Sequence, residues 1–134
     1  SSALLFRAGA ILLERRPDDA RTYAGFWDTP GGHVEAGESP KACVAREFEE
    51  ELGVTRADFR LVAWQDDFEP SRGIPYRHFV HLASGVECDV VAREGQTLDW
   101  RRVDGTGTID APNVNPTVEW IVRDVVARNP AIRG

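Results

Sequence analysis

The sequence predicts an α/β domain with helices on both faces of a mixed sheet, and three observations carry that reading. A nearly continuous apolar run occupies residues 4–14, as expected of a strand buried on both sides. Two segments, in the middle and at the end of the chain, repeat their apolar residues at helical spacing behind recognisable start signals. Strand-like stretches lie before, between and after the first of these, which is the order expected when helices cover a sheet.

Taken in order, residues 4–14 read as one strand, and residues 15–25 as a polar loop. Phe26-Trp27-Asp28-Thr29 is a short extended piece, stopped by Pro30 and the pair Gly31-Gly32. Ser39-Pro40 starts a helix: Ser accepts a backbone N–H at the N-cap, and Pro fits a first turn that needs no N–H. Gly53 ends it. At about 100° per residue, Val44, Ala45, Phe48 and Leu52 share one face, while Glu47, Glu50 and Glu51 gather roughly opposite. Residues 59–68 and 76–86 read as two strands joined by a turn-rich segment at 69–75, and a further strand surrounds 100–103. Residues 105–115 form a loop rich in Gly, Thr, Asp, Asn and Pro. Behind the cap Asn115-Pro116, Val118, Ile121, Val122, Val125 and Val126 trace one helical stripe laid on the sheet, with Trp120 at its edge.

The length, 134 residues, suits a single domain over 1–134, since two independent cores would each be small. Sixteen basic residues against 22 acidic ones give a net charge of −6, which argues against a broad grip on a nucleic acid polymer. An acidic protein can still take a phosphorylated small molecule when metal ions screen the repulsion. Cys43 and Cys88 make no disulfide framework and read first as small buried thiols in a reducing compartment, with a single bridge as the alternative. The apolar stretch near the start is broken by Arg7 and is too short to span a bilayer, so no membrane association is expected and the cytoplasm is the default location. A homodimer is left open.

The chemistry lies in the middle helix. Like charges at helical spacing repel by a few tenths of a kcal/mol per pair, yet Glu47, Glu49, Glu50 and Glu51 crowd one short segment. Glu47, Glu50 and Glu51 form an i, i+3, i+4 set that can converge beside the helix, with Glu38 from the turn ahead of it. Hard divalent cations want such oxygens, and Mg²⁺ in particular takes one or two carboxylates and completes its shell with water and substrate phosphate. Gly31-Gly32 allow close backbone approach and leave a carbonyl to join that shell, and Arg46 can hold a neighbouring carboxylate by forked hydrogen bonds.

Gly32, five residues, Glu38, seven residues, then Arg46-Glu47-Phe48-Glu49-Glu50-Glu51-Leu52-Gly53-Val54 resembles the Nudix box, Gly-x5-Glu-x7-Arg-Glu-U-x-Glu-Glu-x-Gly-U with U aliphatic. Seven fixed positions match, which chance would supply about once in 10⁸ starts, so the likeness outweighs the reading of a merely solvated acidic face. Phe48 stands where Leu, Ile or Val is usual and still points to the core on the helical wheel. The resemblance implies a three-layer α/β/α sandwich and hydrolysis of a nucleoside diphosphate linked to another moiety, with Mg²⁺ or Mn²⁺ as cofactor. It implies Glu50 and Glu51 as metal ligands, Glu47 as ligand or general base, a ligand role for the Gly32 carbonyl, and Glu38 and Arg46 as groups that orient the loop and helix at the catalytic centre.

Outside the box, Glu94-Gly95-Gln96 followed by Trp100, and upstream Arg77-His78, resemble segments of the MutT-like branch, whose members act on 8-oxo-dGTP. That likeness makes Glu94 a further ligand or base, beside its reading as an exposed loop acid. The branch reads its base with an Asn before the last helix; here Val114 falls at that position with Asn113 and Asn115 on either side, a departure from the pattern. Arg15, Arg16, Arg21 and Tyr23 can reach phosphate or base from the loop before Phe26, with surface roles placed first, and Arg77 joins Tyr23, Asn113 and Asn115 as a substrate-binding candidate. His78 and His81 have opposite strand parity, which argues against a paired metal site. The expected reaction is release of a nucleoside monophosphate and pyrophosphate from a nucleoside triphosphate, normal or oxidised. The alternatives are hydrolysis of a nucleotide sugar, ADP-ribose or another diphosphate conjugate, and a silent nucleotide-sensing domain.

Overall fold

The computed structural model of the chain describes residues 1–20, 23–69 and 73–133. Arg21 and the tip of the turn at 69–75 therefore lie outside the described residues.

The apolar run near the start is two strands, β1 (Ser2–Arg7) and β2 (Ala10–Arg15), paired antiparallel, and not the single strand expected. Ala8 and Gly9 make the reversal with φ of 50° and 78°. Positive φ at both central residues is the two-residue hairpin geometry that matches strand twist. The turn was hidden because Ala-Gly inside an apolar run carries no polar turn signal.

Next come β3 (Trp27–Asp28), α1 (Pro40–Leu52), β4 (Asp58–Glu69), β5 (Ile74–Ser84), β6 (Thr97–Arg102) and α2 (Pro116–Arg128), with a short 3-10 turn at Pro130–Arg133. The sheet runs β3-β2-β1-β5-β4, with β6 on the other side of β2. β1 and β5 are parallel and the other strand pairs antiparallel, so the sheet is mixed.

Strand alternation sorts the core into two layers. On one face Leu4, Ile11, Leu13 and Val80 meet Val118, Ile121, Val122, Val125 and Val126 of α2. On the other, Ala3, Leu5, Leu12, Phe59 and Ala83 meet Val44, Phe48 and Leu52 of α1. Each buried side chain of this size stabilises by roughly 1.5–3 kcal/mol relative to exposure. Phe48 fills its aliphatic position edge-on to Phe59, ring centroids 5.2 Å apart at 85°. α1 starts and stops as its caps require: the Ser39 side chain accepts from the Ala42 N–H, and Gly53 closes the helix in left-handed backbone. Its buried face differs from the wheel at one position, since Cys43 is buried and Ala45 is exposed. Both cysteines are free, and Cys88 is exposed, contrary to the expectation of two buried thiols. Among the described residues no helix is long and apolar enough to cross a membrane.

Candidate functional site

The site forms where the glycine pair after β3 passes beneath α1. Gly31 bridges to Ser2 at the start of β1, the Gly32 N–H donates to Ser1 O at 3.0 Å, and Gly32 O accepts from Ser1 N at 2.8 Å. This pairing seats Gly32 against Glu47. A β-carbon at residue 32 would fall inside the Glu47 carboxylate, so glycine here is a condition for that side chain's position. Glu47 is consequently enclosed, its side chain only 14% exposed, and does not lie on the open acidic face that the wheel assigned to it.

Arg46 organises the glutamates around it. Its Nε donates to Glu38 Oε2 at 2.8 Å and its Nη2 to Glu38 Oε1 at 3.0 Å, a two-pronged pair. Nη1 donates to Glu47 Oε1 at 2.8 Å and to Glu50 Oε2 at 3.3 Å, and Nη2 reaches His33 O at 3.2 Å. The bonds from Arg46 hold the Glu38 carboxyl down at about 2, and that carboxylate in return holds Arg46 firmly charged. One oxygen each of Glu47 and Glu50 is left outside this grip.

Glu51 lies deeper. Its Oε2 is buried with no hydrogen-bond partner, and burial, then the charge of Glu14, then a hydrogen bond with Glu47 push its carboxyl up to about 9. The loop that carries Glu94 is pinned to the end of α1: Val91 N–H donates to Leu52 O, Arg93 N–H and Gln96 Nε2 to Glu51 O, and Arg93 Nη1 to Glu49 O, all within 3.1 Å. The Glu94 N–H donates in turn to Gln96 Oε1, and this exposed carboxylate adds to the field on Glu51.

Two acids that motif reading passed over complete the cluster. Glu14 on β2 pairs with Asp28 on β3, and burial, then the charge of Asp28, raise Glu14 to about 7. The only sequence signal for Glu14 was a carboxylate two residues beyond Leu12, on the same strand face. Asp28 is occupied: Oδ1 accepts the Thr29 N–H at 2.8 Å and Oδ2 accepts from Asn115 Nδ2 at 3.2 Å. Asn115 also caps α2 through the Thr117 N–H, so one amide ties the helix start to β3. Val114 is buried in the core, whereas Asn113, at φ 53°, keeps its side chain exposed while its carbonyl accepts the Trp27 N–H.

The remaining candidates sit apart from the glutamates. Arg77 pairs with Asp66 at 2.7 Å and lies 4.3 Å from the centre of the Trp64 ring, on the β4–β5 hairpin. Tyr23 is half exposed, packed on Phe26 in a turn. Arg15 pairs with Asp18, and Arg16 stands 4.0 Å from Asp28. His78 and His81 point to opposite faces as their parity requires, one to the Ser2 hydroxyl and the other to the Ser2 carbonyl, both held below their usual range by burial.

A mixed sheet between two helices, with glutamates gripped by one arginine beside a glycine pair, is the arrangement that the sequence resemblance implied. The chain matches the NUDIX domain over residues 1–129, and it belongs to that family. It is 33% identical to the 8-oxo-dGTP diphosphatase of Escherichia coli (strain K12) over 108 residues, 81% of each chain. It is 39% identical to the RNA pyrophosphohydrolase of Acidiphilium cryptum (strain JF-5) over 140 aligned positions, covering 92% of this chain and 85% of that one. Among solved structures, the MutT NUDIX hydrolase of Burkholderia pseudomallei superposes with a TM-score of 0.78 at 28% identity, covering 92% and 94% of the two chains. The protein is thus an enzyme of the Nudix hydrolases, which act on pyrophosphate bonds and generally use a divalent metal.

The residues fit such a metal. A buried oxygen on Glu51 with no hydrogen-bond partner, the charges of Glu14, Glu47 and Glu94 acting on that carboxyl, and Glu47 seated against Gly32 make the oxygen-rich wall that a hard cation takes. Among the described residues no three His, Cys, Asp or Glu side chains yet stand at ligating separation, so at least one must rotate to close a shell.

Proposed function

We propose that this Nudix hydrolase cleaves a nucleoside triphosphate, normal or oxidised, into the monophosphate and pyrophosphate with Mg²⁺ or Mn²⁺. The observation that carries the reading is the Arg46 grip on Glu38, Glu47 and Glu50 beside the orphaned oxygen of Glu51. The triphosphate preference is supported by the likeness to the Escherichia coli diphosphatase, together with Asn113 exposed where the chain passes β3.

Glu47, Glu50 and Glu51 would hold the metal, joined by the Gly32 carbonyl once it releases Ser1 N, and the metal would supply neutralisation of phosphate charge and acidification of a water. The chain does the rest. Arg46 spends its donors on fixing Glu47 and Glu50, which narrows the rotamers that their remaining oxygens must sample to reach a cation. The attacking water gives its proton to a carboxylate at this face, Glu47 or Glu94, as its oxygen bonds to phosphorus and pyrophosphate departs. Glu38 acts only on position, since both its oxygens are taken by Arg46.

Glu50→Gln tests the site. Glu50 is exposed, so the variant should fold like the parent while turnover falls by roughly 100-fold or more. Parent-like turnover would remove the metal site as drawn. The substrate is read from products over a panel of normal and oxidised triphosphates, diphosphate conjugates and triphosphate-ended RNA: monophosphate plus pyrophosphate from free nucleotides supports the proposal, and two monophosphate fragments from a conjugate sink it.

A further inference from the structure

We propose that Glu14 is a further ligand to the divalent cation, closing the cradle from the sheet while the glutamates of α1 close it from the helix. This rests on the reading of the site as a metal-dependent hydrolase centre.

The argument starts from strand alternation. On β2, Ile11 and Leu13 enter the α2 core and Leu12 enters the α1 core. Glu14 follows Leu12 on the α1 face, about 6.6 Å further along the strand. Its neighbours across the sheet are Leu98 of β6 and Asp28 of β3. Leu98 still packs on the α1 core, so Glu14 sits where that core gives way to the acidic site.

What sets Glu14 apart is its lack of partners. It is half-buried, and among the described residues no hydrogen bond or ion pair reaches its carboxylate. Asp28, directly opposite, has donors on both oxygens, and Glu38 and Glu47 have Arg46. Arg46 itself is consumed by Glu38, Glu47, Glu50 and the His33 carbonyl. Arg16, 4.0 Å from Asp28, favours the charged form of Glu14, but burial and the charge of Asp28 outweigh it, so this half-buried carboxylate facing other carboxylates still costs free energy unless a proton or a metal joins it. The field agrees with the placement: Glu14 is the largest charge acting on Glu51, and Glu47 and Glu94 act on Glu14. Glu14 and Glu51 thus stand on facing walls, one on the sheet and one on the helix.

The test counts bound Mn²⁺ by electron paramagnetic resonance in the parent, Glu14→Gln and Glu51→Gln, alongside thermal unfolding at pH 8 in EDTA or Mn²⁺. Glu14→Gln keeps the shape and removes the charge. It should therefore melt higher than the parent in EDTA, yet bind Mn²⁺ about ten-fold or more weakly and lose most of the parent's Mn²⁺-induced rise. A Glu14→Gln protein that binds Mn²⁺ like the parent, while Glu51→Gln does not, overturns the role of Glu14 and leaves the proposed function standing. One that melts lower in EDTA as well as binding weakly marks Glu14 as structural and overturns the proposal too. A parent that takes up no Mn²⁺ overturns both this inference and the metal-dependent reading beneath it.

Discussion

Holding three carboxylates with one side chain is work for which guanidinium is suited, because its planar fork carries five donors and never loses its charge. Arg46 uses that fork on Glu38, Glu47 and Glu50 at once. Its partner in this placement is an absence of side chain at Gly32, where a methyl group would occupy the volume of the Glu47 carboxylate. Gly32→Ala should therefore expel Glu47 from Arg46 and lower kcat by about 100-fold, since a 1 Å displacement of a catalytic group costs on that order. Steady-state kinetics beside a melting curve checks it, and an unchanged kcat in a folded protein refutes the role given to Gly32. That Arg46 holds a neighbouring carboxylate by its fork was legible in the sequence, whereas its two-pronged bond to Glu38 came from the fold. The engagement of Asp28 with Asn115 was not legible either, because 87 residues separate them and nothing local marks the contact.

Helix α1 owes its placement to its apolar stripe and its site to its polar flank, and the two are coupled. Phe48 is wholly buried against Phe59, so Phe48→Ala should cost about 3–5 kcal/mol in stability, measured by urea unfolding. Activity under conditions where the variant stays folded should fall as well, because Glu47 is its immediate neighbour. A loss below 1 kcal/mol would contradict the packing described. The last turn of α1 has no basic residue, and Arg93 supplies one from outside by donating to Glu49 O. That contact suits the negative end of the helix dipole and at the same time brings the Glu94 loop alongside the glutamates. Cap signals made both helices legible in advance. The β1–β2 hairpin was not, since its turn is made of two small residues inside an apolar run.

At the scale of the whole molecule, the acids pull stability in two directions with pH. Glu38 is depressed to about 2, so its contribution is present above its ordinary value near 4.5 and is lost as pH falls toward 2. Glu14 and Glu51 are raised to about 7 and 9, so the folded state binds more protons than the unfolded one above pH 4.5. Their contribution has the opposite sign: stability falls as pH rises through 7 and toward 9. The chelated protein should melt highest near pH 5 and lower at pH 9, and Mg²⁺ or Mn²⁺ should flatten the alkaline decline by replacing the protons. Calorimetry in EDTA and in metal across that range decides it, and a melting temperature in EDTA that rises steadily from pH 5 to 9 would contradict the burial of these carboxylates.

The chain's residue order alone determined the two helices, their caps, the mixed α/β class and the acidic box, because those rest on periodicity and spacing within a few turns of backbone. Tertiary structure decided how exposed each acid is and which of them meet. Glu47 became enclosed because a glycine strand passes beneath it, and Glu14 came to face α1 because strand pairing carried it there. Both facts depend on contacts between distant segments, whose energies no local pattern records.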